Sequence, residues 1–173
     1  MNKESVREGY DDLGVEGYYE KHQGDYTNPH QKIIKELLTI ALNRNMIKGN
    51  VLDLCCGSGE VTTYLQEYDV TGLDPYTAVA YKARTGKEAL PYSFKDIVLG
   101  KLDGMYFDTI ICSFAMHLCE ESMLPQLLWK LGEISNRLII LTPHKRPDCD
   151  GIARWCLVEE VIVKRVRMRV YIR

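Results

Sequence analysis

The sequence predicts an α/β fold, a doubly wound sheet of seven strands, mostly parallel, with an antiparallel strand at its C-terminal end. Three observations predict it. Short apolar runs at Val51–Leu54, Val70–Leu73, Phe107–Ser113 and Leu138–Thr142 alternate with stretches of helical periodicity, the pattern of βαβ units feeding a parallel sheet. The first run leads directly into a glycine-bearing turn, Cys55-Cys56-Gly57-Ser58-Gly59, with a helical stretch behind it. The C-terminus, Trp155 to Arg173, reads as two strands with a bend near Lys164. Crossovers in such sheets are right-handed. Every ligand-facing motif is therefore expected at the carboxyl ends of the strands.

The other elements follow in order. Residues 1–28 read as an acidic arm that carries tyrosines, and residues 29–173 as a single domain, in keeping with about 150 residues per domain. Asn28-Pro29 opens a helix in which Ile33, Ile34, Leu37, Leu38 and Ala41 recur at helical spacing, with Gly49 beyond its end. Val61 to Tyr68 reads as a helix, and Asp74-Pro75 opens another through Lys82. Tyr92-Ser93-Phe94 is a weak third strand. Glu121 to Ser135 is an amphipathic helix with Met123, Leu124, Leu127, Leu128, Leu131 and Ile134 on one face. Only Pro143 to Arg154 joins the fifth strand to the sixth. That is near the minimum of about a dozen residues for a crossover, so its helix is expected to be missing or cut to about a turn.

Composition excludes several classes. Hydrophobic residues make up 46% and charged residues 27%, and the net charge is −2, so no overall charge bias points to nucleic acid or an anionic membrane. Leu138–Leu141, the longest strongly apolar run, falls far short of the roughly 20 residues of a membrane helix. The first residues lack the apolar core of a secretory signal. Six cysteines without a C-x-x-C pair read as reduced cytoplasmic thiols, and no metal site is expected.

Three acidic positions carry the chemistry. Asp53 ends the first strand before the glycine turn and suits an ammonium, while the turn amides and the helix behind them suit a carboxylate. The methionine part of S-adenosylmethionine carries both groups. Asp74, about 20 residues further on, stands where a carboxylate accepts ribose hydroxyls. With Pro75 it also reads as a helix start, and the two roles are compatible. Asp96 is placed to accept an adenine amine with Ile97 packed on the ring. Its alternative is an exposed turn carboxylate.

These blocks, "VLDLCCGSG", "TGLDP", "FKDI" and "FDTIICSFAMHL", resemble in order the motifs of the class I S-adenosylmethionine-dependent methyltransferases. The resemblance spans about Gln31 to Pro143. It implies Asp53, Cys55, Gly57, Gly59, Asp74, Asp96, Ile97, Ser113 and Phe114 as cofactor residues, with Cys55 standing where the family loop has its first glycine. It also implies S-adenosyl-L-methionine as cofactor and S-adenosyl-L-homocysteine as product. An N-terminal lid is implied too, through which Tyr19 and Tyr26 touch the cofactor or the acceptor. A dehydrogenase shares the topology, but Gly57-x-Gly59 lacks the third glycine of its fingerprint.

On the acceptor side, His117 and His144 stand past the fourth and fifth strands, where a base would act. A packing histidine and a surface-loop histidine are their plain alternatives. The expected acceptor is a small molecule. Two other readings stay open: a methyltransferase on RNA or protein, and a non-catalytic cofactor-binding subunit. The last strand alternates Val166, Met168, Val170 and Ile172 with Arg165, Arg167, Arg169, Tyr171 and Arg173. Period 2 places four arginines on an open face, either paired with Glu159 and Glu160 or free to dock RNA or another subunit. A monomer or homodimer is expected.

Overall fold

The computed structural model describes residues 30–173, so the expectations for the arm, Tyr19 and Tyr26 lie outside the described residues. Helix α1 (Gln31–Asn43) buries Ile34, Leu37, Leu38 and Ala41 along one stripe, as its i, i+3, i+4 spacing requires. The strands are β1 (Val51–Leu54), β2 (Val70–Leu73), β3 (Thr109–Ser113), β4 (Arg137–Thr142), β5 (Cys156–Val163) and β6 (Val166–Ile172). They form one sheet in the order β2-β1-β3-β4-β6-β5. The first four are parallel, and β6 runs antiparallel between β4 and β5. β1 and β3 are buried almost throughout, as parallel strands covered on both faces must be.

Two apolar layers flank the sheet. One joins Ile34, Leu37 and Leu38 of α1 to Val51, Ile111 and Ile139. The other joins Leu52, Leu54, Ile110 and Cys112 to Leu127, Leu128 and Leu131 of the amphipathic helix. Side-chain alternation therefore sends Asp53 and Ser113 to the α1 face. Strand order reverses between β1 and β3, which places the ligand crevice of such a sheet over their carboxyl ends.

The sheet has six strands among the described residues, one fewer than the sequence predicts. Only Leu90 makes a bridge, to Leu73. Ser93 then caps a short helix, Phe94–Val98, in a reciprocal box with Asp96. These local hydrogen bonds outcompete a three-residue strand. The helix after β1 is also shorter than expected, Glu60–Tyr64 rather than Val61–Tyr68. It is followed by Ala78–Thr85, Phe94–Val98 and Leu124–Ile134, so the helices are α1 to α5 in that order. Helix α3 starts at Ala78 because the Asp74 carboxylate first takes the amides of Tyr76 and Thr77.

As expected, the crossover to β5 holds a single 3₁₀ turn, Ile152–Arg154. The open arginine face does not exist. Tyr171 is fully buried and Arg169 nearly so, because the helix-poor crossover itself covers them. Arg169 donates to the carbonyls of Lys145 and Pro147 at 2.8 and 3.1 Å and to Glu160 at 2.7 Å. Arg167 also faces Glu160, and Arg173 lies over the ring of Trp129. Only Arg165, in the two-residue hairpin turn with Lys164, stays exposed.

Arg169→Gln should therefore cost about 2 kcal/mol in chemical denaturation, because buried carbonyls and Glu160 lose a charged donor. Arg165→Gln should change stability by less than about 0.5 kcal/mol. Equal effects would contradict this division of roles.

Candidate functional site

The glycine turn is built around two carboxylates and one misplaced side chain. Cys55 has φ +59°, the left-handed region where a Cβ costs about 1 kcal/mol and glycine costs nothing. The neighbouring Cys112 thiol and burial push the pKa of the Cys55 thiol well up. Cys56 is buried and likewise raised. All six cysteines are free thiols. Gly59 and Gly72 are required by close approach: a Cβ on Gly59 would stand 2.5 Å from Thr85, and one on Gly72 would stand 2.3 Å from the Tyr81 ring. Tyr81 of α3 thus locks the turn against the end of β2.

Asp74 holds the turn from the other side. One carboxylate oxygen accepts from the Gly57 amide at 3.2 Å, and the other accepts from Tyr76 and Thr77. The helix-start reading of Asp-Pro is what the geometry displays: the two amides fill Oδ1, and Oδ2 retains one further lone pair. Glu60 occupies the first turn of α2. It accepts from Ser58 at 2.6 Å and pairs with Arg84 at 3.2 Å. The five-residue α2 therefore already carries its own anion where the sequence suggests a ligand carboxylate.

Asp53 differs from both. It is fully buried, and its Oδ2 accepts from the Thr62 amide at 3.2 Å and the Thr62 hydroxyl at 2.7 Å. Its Oδ1 has no partner. Burial first, then Glu60 and Asp74, push its pKa up to about 7 against the pull of Thr62. Among the described residues just two other buried side-chain oxygens lack a partner, Thr77 Oγ1 and Ser113 Oγ. All three sit at the carboxyl ends of β1, β2 and β3, around the point of strand-order reversal. Buried unpartnered oxygens are rare enough to require an explanation, and here they converge on one rim. Asp53 and Ser113 were legible as motif ends. Thr77 was missed, although a hydroxyl just behind Asp-Pro at a helix start is a visible signal.

The remaining residues lie along the same rim. Asp96 is tied to Ser93 through two hydrogen bonds to Oδ2, and those bonds hold its pKa down. Ile97 is buried beneath it. Phe114 has φ +56° and stacks on His30, with ring centroids 4.3 Å apart. Past β3, His117 lies in a 3₁₀ turn, Met116–Leu118. Its ring centroid is 4.4 Å from that of His144, so two residues 27 positions apart in the sequence meet. Burial of the packed side of its ring, with His144 second, lowers the His117 pKa to about 4. A hollow of about 190 Å³ beside α1, α2 and α3, with Lys35 and Arg84 in its wall, shares only Glu60 and its neighbours with this rim.

Residues 51–135 match a family described as a methyltransferase domain. The chain belongs to the class I S-adenosylmethionine-dependent methyltransferases. It is a methylating enzyme with S-adenosylmethionine as cofactor. An uncharacterized protein of Schizosaccharomyces pombe is 30% identical to this methyltransferase, over 96% of this chain and 91% of its own. In fold the methyltransferase is similar to magnesium protoporphyrin IX methyltransferase from Synechocystis, with TM-score 0.66, 16% identity and 100% and 99% of the two chains covered. A TehB-like protein from Corynebacterium glutamicum gives 0.59 and 17%, covering 84% and 100%. The orphaned acceptors fit the cofactor, since an ammonium brings the donors that Asp53 and Ser113 lack.

Comparing Cys55→Gly with Cys55→Ala isolates the backbone strain, since both remove the thiol. The glycine variant should be more stable by about 1 kcal/mol. An alanine variant of equal stability would show that the turn is unstrained.

Proposed function

We propose that this chain transfers a methyl group from S-adenosylmethionine to a small-molecule acceptor held over the rim between Phe114 and the His117–His144 pair. The observation that carries this reading is that three orphaned buried oxygens, on Asp53, Thr77 and Ser113, belong to β1, to the segment after β2 and to β3, on the carboxyl side of the strands. When bound, the cofactor supplies an electrophilic methyl group on a cationic sulfur. Asp53 and Ser113 receive the ammonium. Asp74 offers the remaining lone pair of its Oδ2 to a ribose hydroxyl. Ile97 packs on the adenine, with Asp96 at its edge. Gly57 and Gly59 keep the turn open, and Cys55 narrows it.

Methyl transfer needs alignment above all. An oxygen acceptor also has a proton to lose. His117 is neutral at pH 7, so a ring nitrogen can take that proton, although its lowered pKa makes it a weaker base than an ordinary imidazole. The small-molecule reading has support in the Synechocystis relative, whose name gives a porphyrin as its substrate. It is also supported by the loss of the arginine face, since of the four arginines from Arg165 to Arg173 just Arg165 is exposed.

Labelled methyl transfer from S-adenosylmethionine, offered phenols, thiols, amines and transfer RNA in parallel, tests this reading. Label should enter a small molecule. Asp74→Ala should weaken S-adenosylhomocysteine binding by about tenfold or more, from hydrogen bonds near 1 kcal/mol each. With an oxygen acceptor, His117→Gln should lower turnover by about 100-fold and leave that binding intact. Label in RNA alone, or full turnover without His117, would overturn the respective claim.

A further inference from the structure

Asp53 is held by a buried chain of hydroxyls that the functional reading above does not use. Thr62 presents both its amide and its Oγ1 to Oδ2. The Thr62 hydroxyl in turn lies 3.1 Å from the Tyr81 hydroxyl. Tyr81 is itself fully buried, wedged against Gly72 and Gly59. Oδ2 is thereby saturated, and Oδ1 is turned away from every donor of the described residues.

We propose that Thr62 and Tyr81 are positioning residues that hold Asp53 as a proton-gated receptor for the cofactor ammonium, so that the carboxyl group gives up a proton when the ammonium arrives. The inference rests on the cofactor reading of Asp53. The step balances: the Asp53 carboxyl O–H bond breaks, its proton leaves to solvent, and the carboxylate left behind accepts an ammonium N–H. No change of oxidation state is involved.

The surroundings favour this exchange. No cation of the described residues offsets Asp53, and the groups facing it are Glu60 from α2, Asp74 from the end of β2, Cys56 from the turn and Tyr81 from α3. Glu60 is neutralised by Arg84, and Asp74 is engaged by three amides. The Cys56 thiol and the Tyr81 phenol are pushed up by burial, the phenol to about 12. Near neutral pH, then, Asp53 is the group of this set free to exchange a proton. The sign follows from the direction of its shift. The buried acid binds a proton between its ordinary range and about 7, and a cation beside it expels that proton. Ammonium binding should therefore strengthen as pH rises through 7, and Thr62 eases it by supporting the charged form.

The test is calorimetry of S-adenosylhomocysteine binding in two buffers of different ionisation enthalpy, from pH 6 to pH 9. The wild-type protein should release part of one proton per ligand near pH 7, and the balance should turn to uptake toward pH 9, where the ligand amine is itself partly neutral and must gain a proton. Thr62→Val, which keeps the shape, should lower affinity at pH 7 by about three- to tenfold. It should also move the midpoint of the pH profile upward, and Thr62→Ser should restore it. Tyr81→Phe, which keeps the ring against Gly72, should give a smaller shift in the same direction. Asp53→Asn should abolish proton release. Wild-type binding without proton release, or a Thr62→Val loss equal at every pH, would overturn the proposal and leave the cofactor site standing. Absence of any binding would overturn both.

Discussion

A carboxylate buried without a cation is the constraint on which this structure turns. Asp53 stands at the end of a central strand, shut off from water, with one oxygen satisfied and the other left over. A buried unpartnered acceptor costs on the order of 1–3 kcal/mol, and a charged one more. The surrounding architecture holds that cost in place. Thr62 saturates one oxygen. Tyr81 braces Thr62, and Gly59 and Gly72 admit Tyr81 where a Cβ would block it. Asp74 ties the turn to the end of β2.

Cys55 belongs to the same picture. The turn demands a left-handed residue there, and the chain supplies one with a side chain. The thiol recovers part of the cost by packing against the apolar cluster that contains Cys112. High thiol pKa values for Cys55, Cys56, Cys119 and Cys149 mean protonated, poorly nucleophilic sulfur. This cysteine-rich floor is accordingly packing rather than chemistry.

The long-period features were legible in the sequence. Apolar strands, the stripe of α5, the glycine turn and the shortened crossover depend on spacing that no tertiary contact overrides. Failures came where short local bonds compete with regular structure. Ser93 and Asp96 turned a weak strand into a capped helix, and Asp74 delayed α3 by claiming two amides. The β-branched run Val61-Thr62-Thr63 accompanies the early end of α2, in keeping with its lower helix propensity. Period 2 correctly divided β6 into two faces. It carried no information about the crossover loop that folds over one of them and buries Arg169. Among candidate site residues, Asp53, Asp74 and Ser113 were readable from strand ends. The pairing of His117 with His144 depends on loops meeting in space, which no motif spacing encodes.

The central claim is that the crevice over the carboxyl ends of β1, β2 and β3 receives S-adenosylmethionine. Backbone amide spectra recorded during titration with S-adenosylhomocysteine test it most directly. The account predicts large shifts at Asp53, Cys55 to Glu60, Tyr76, Thr77, Ser113 and Phe114, with little change around Trp129 or in β5. Shifts confined to the hollow lined by Lys35 and Arg84, or to the far face of α5, would contradict it.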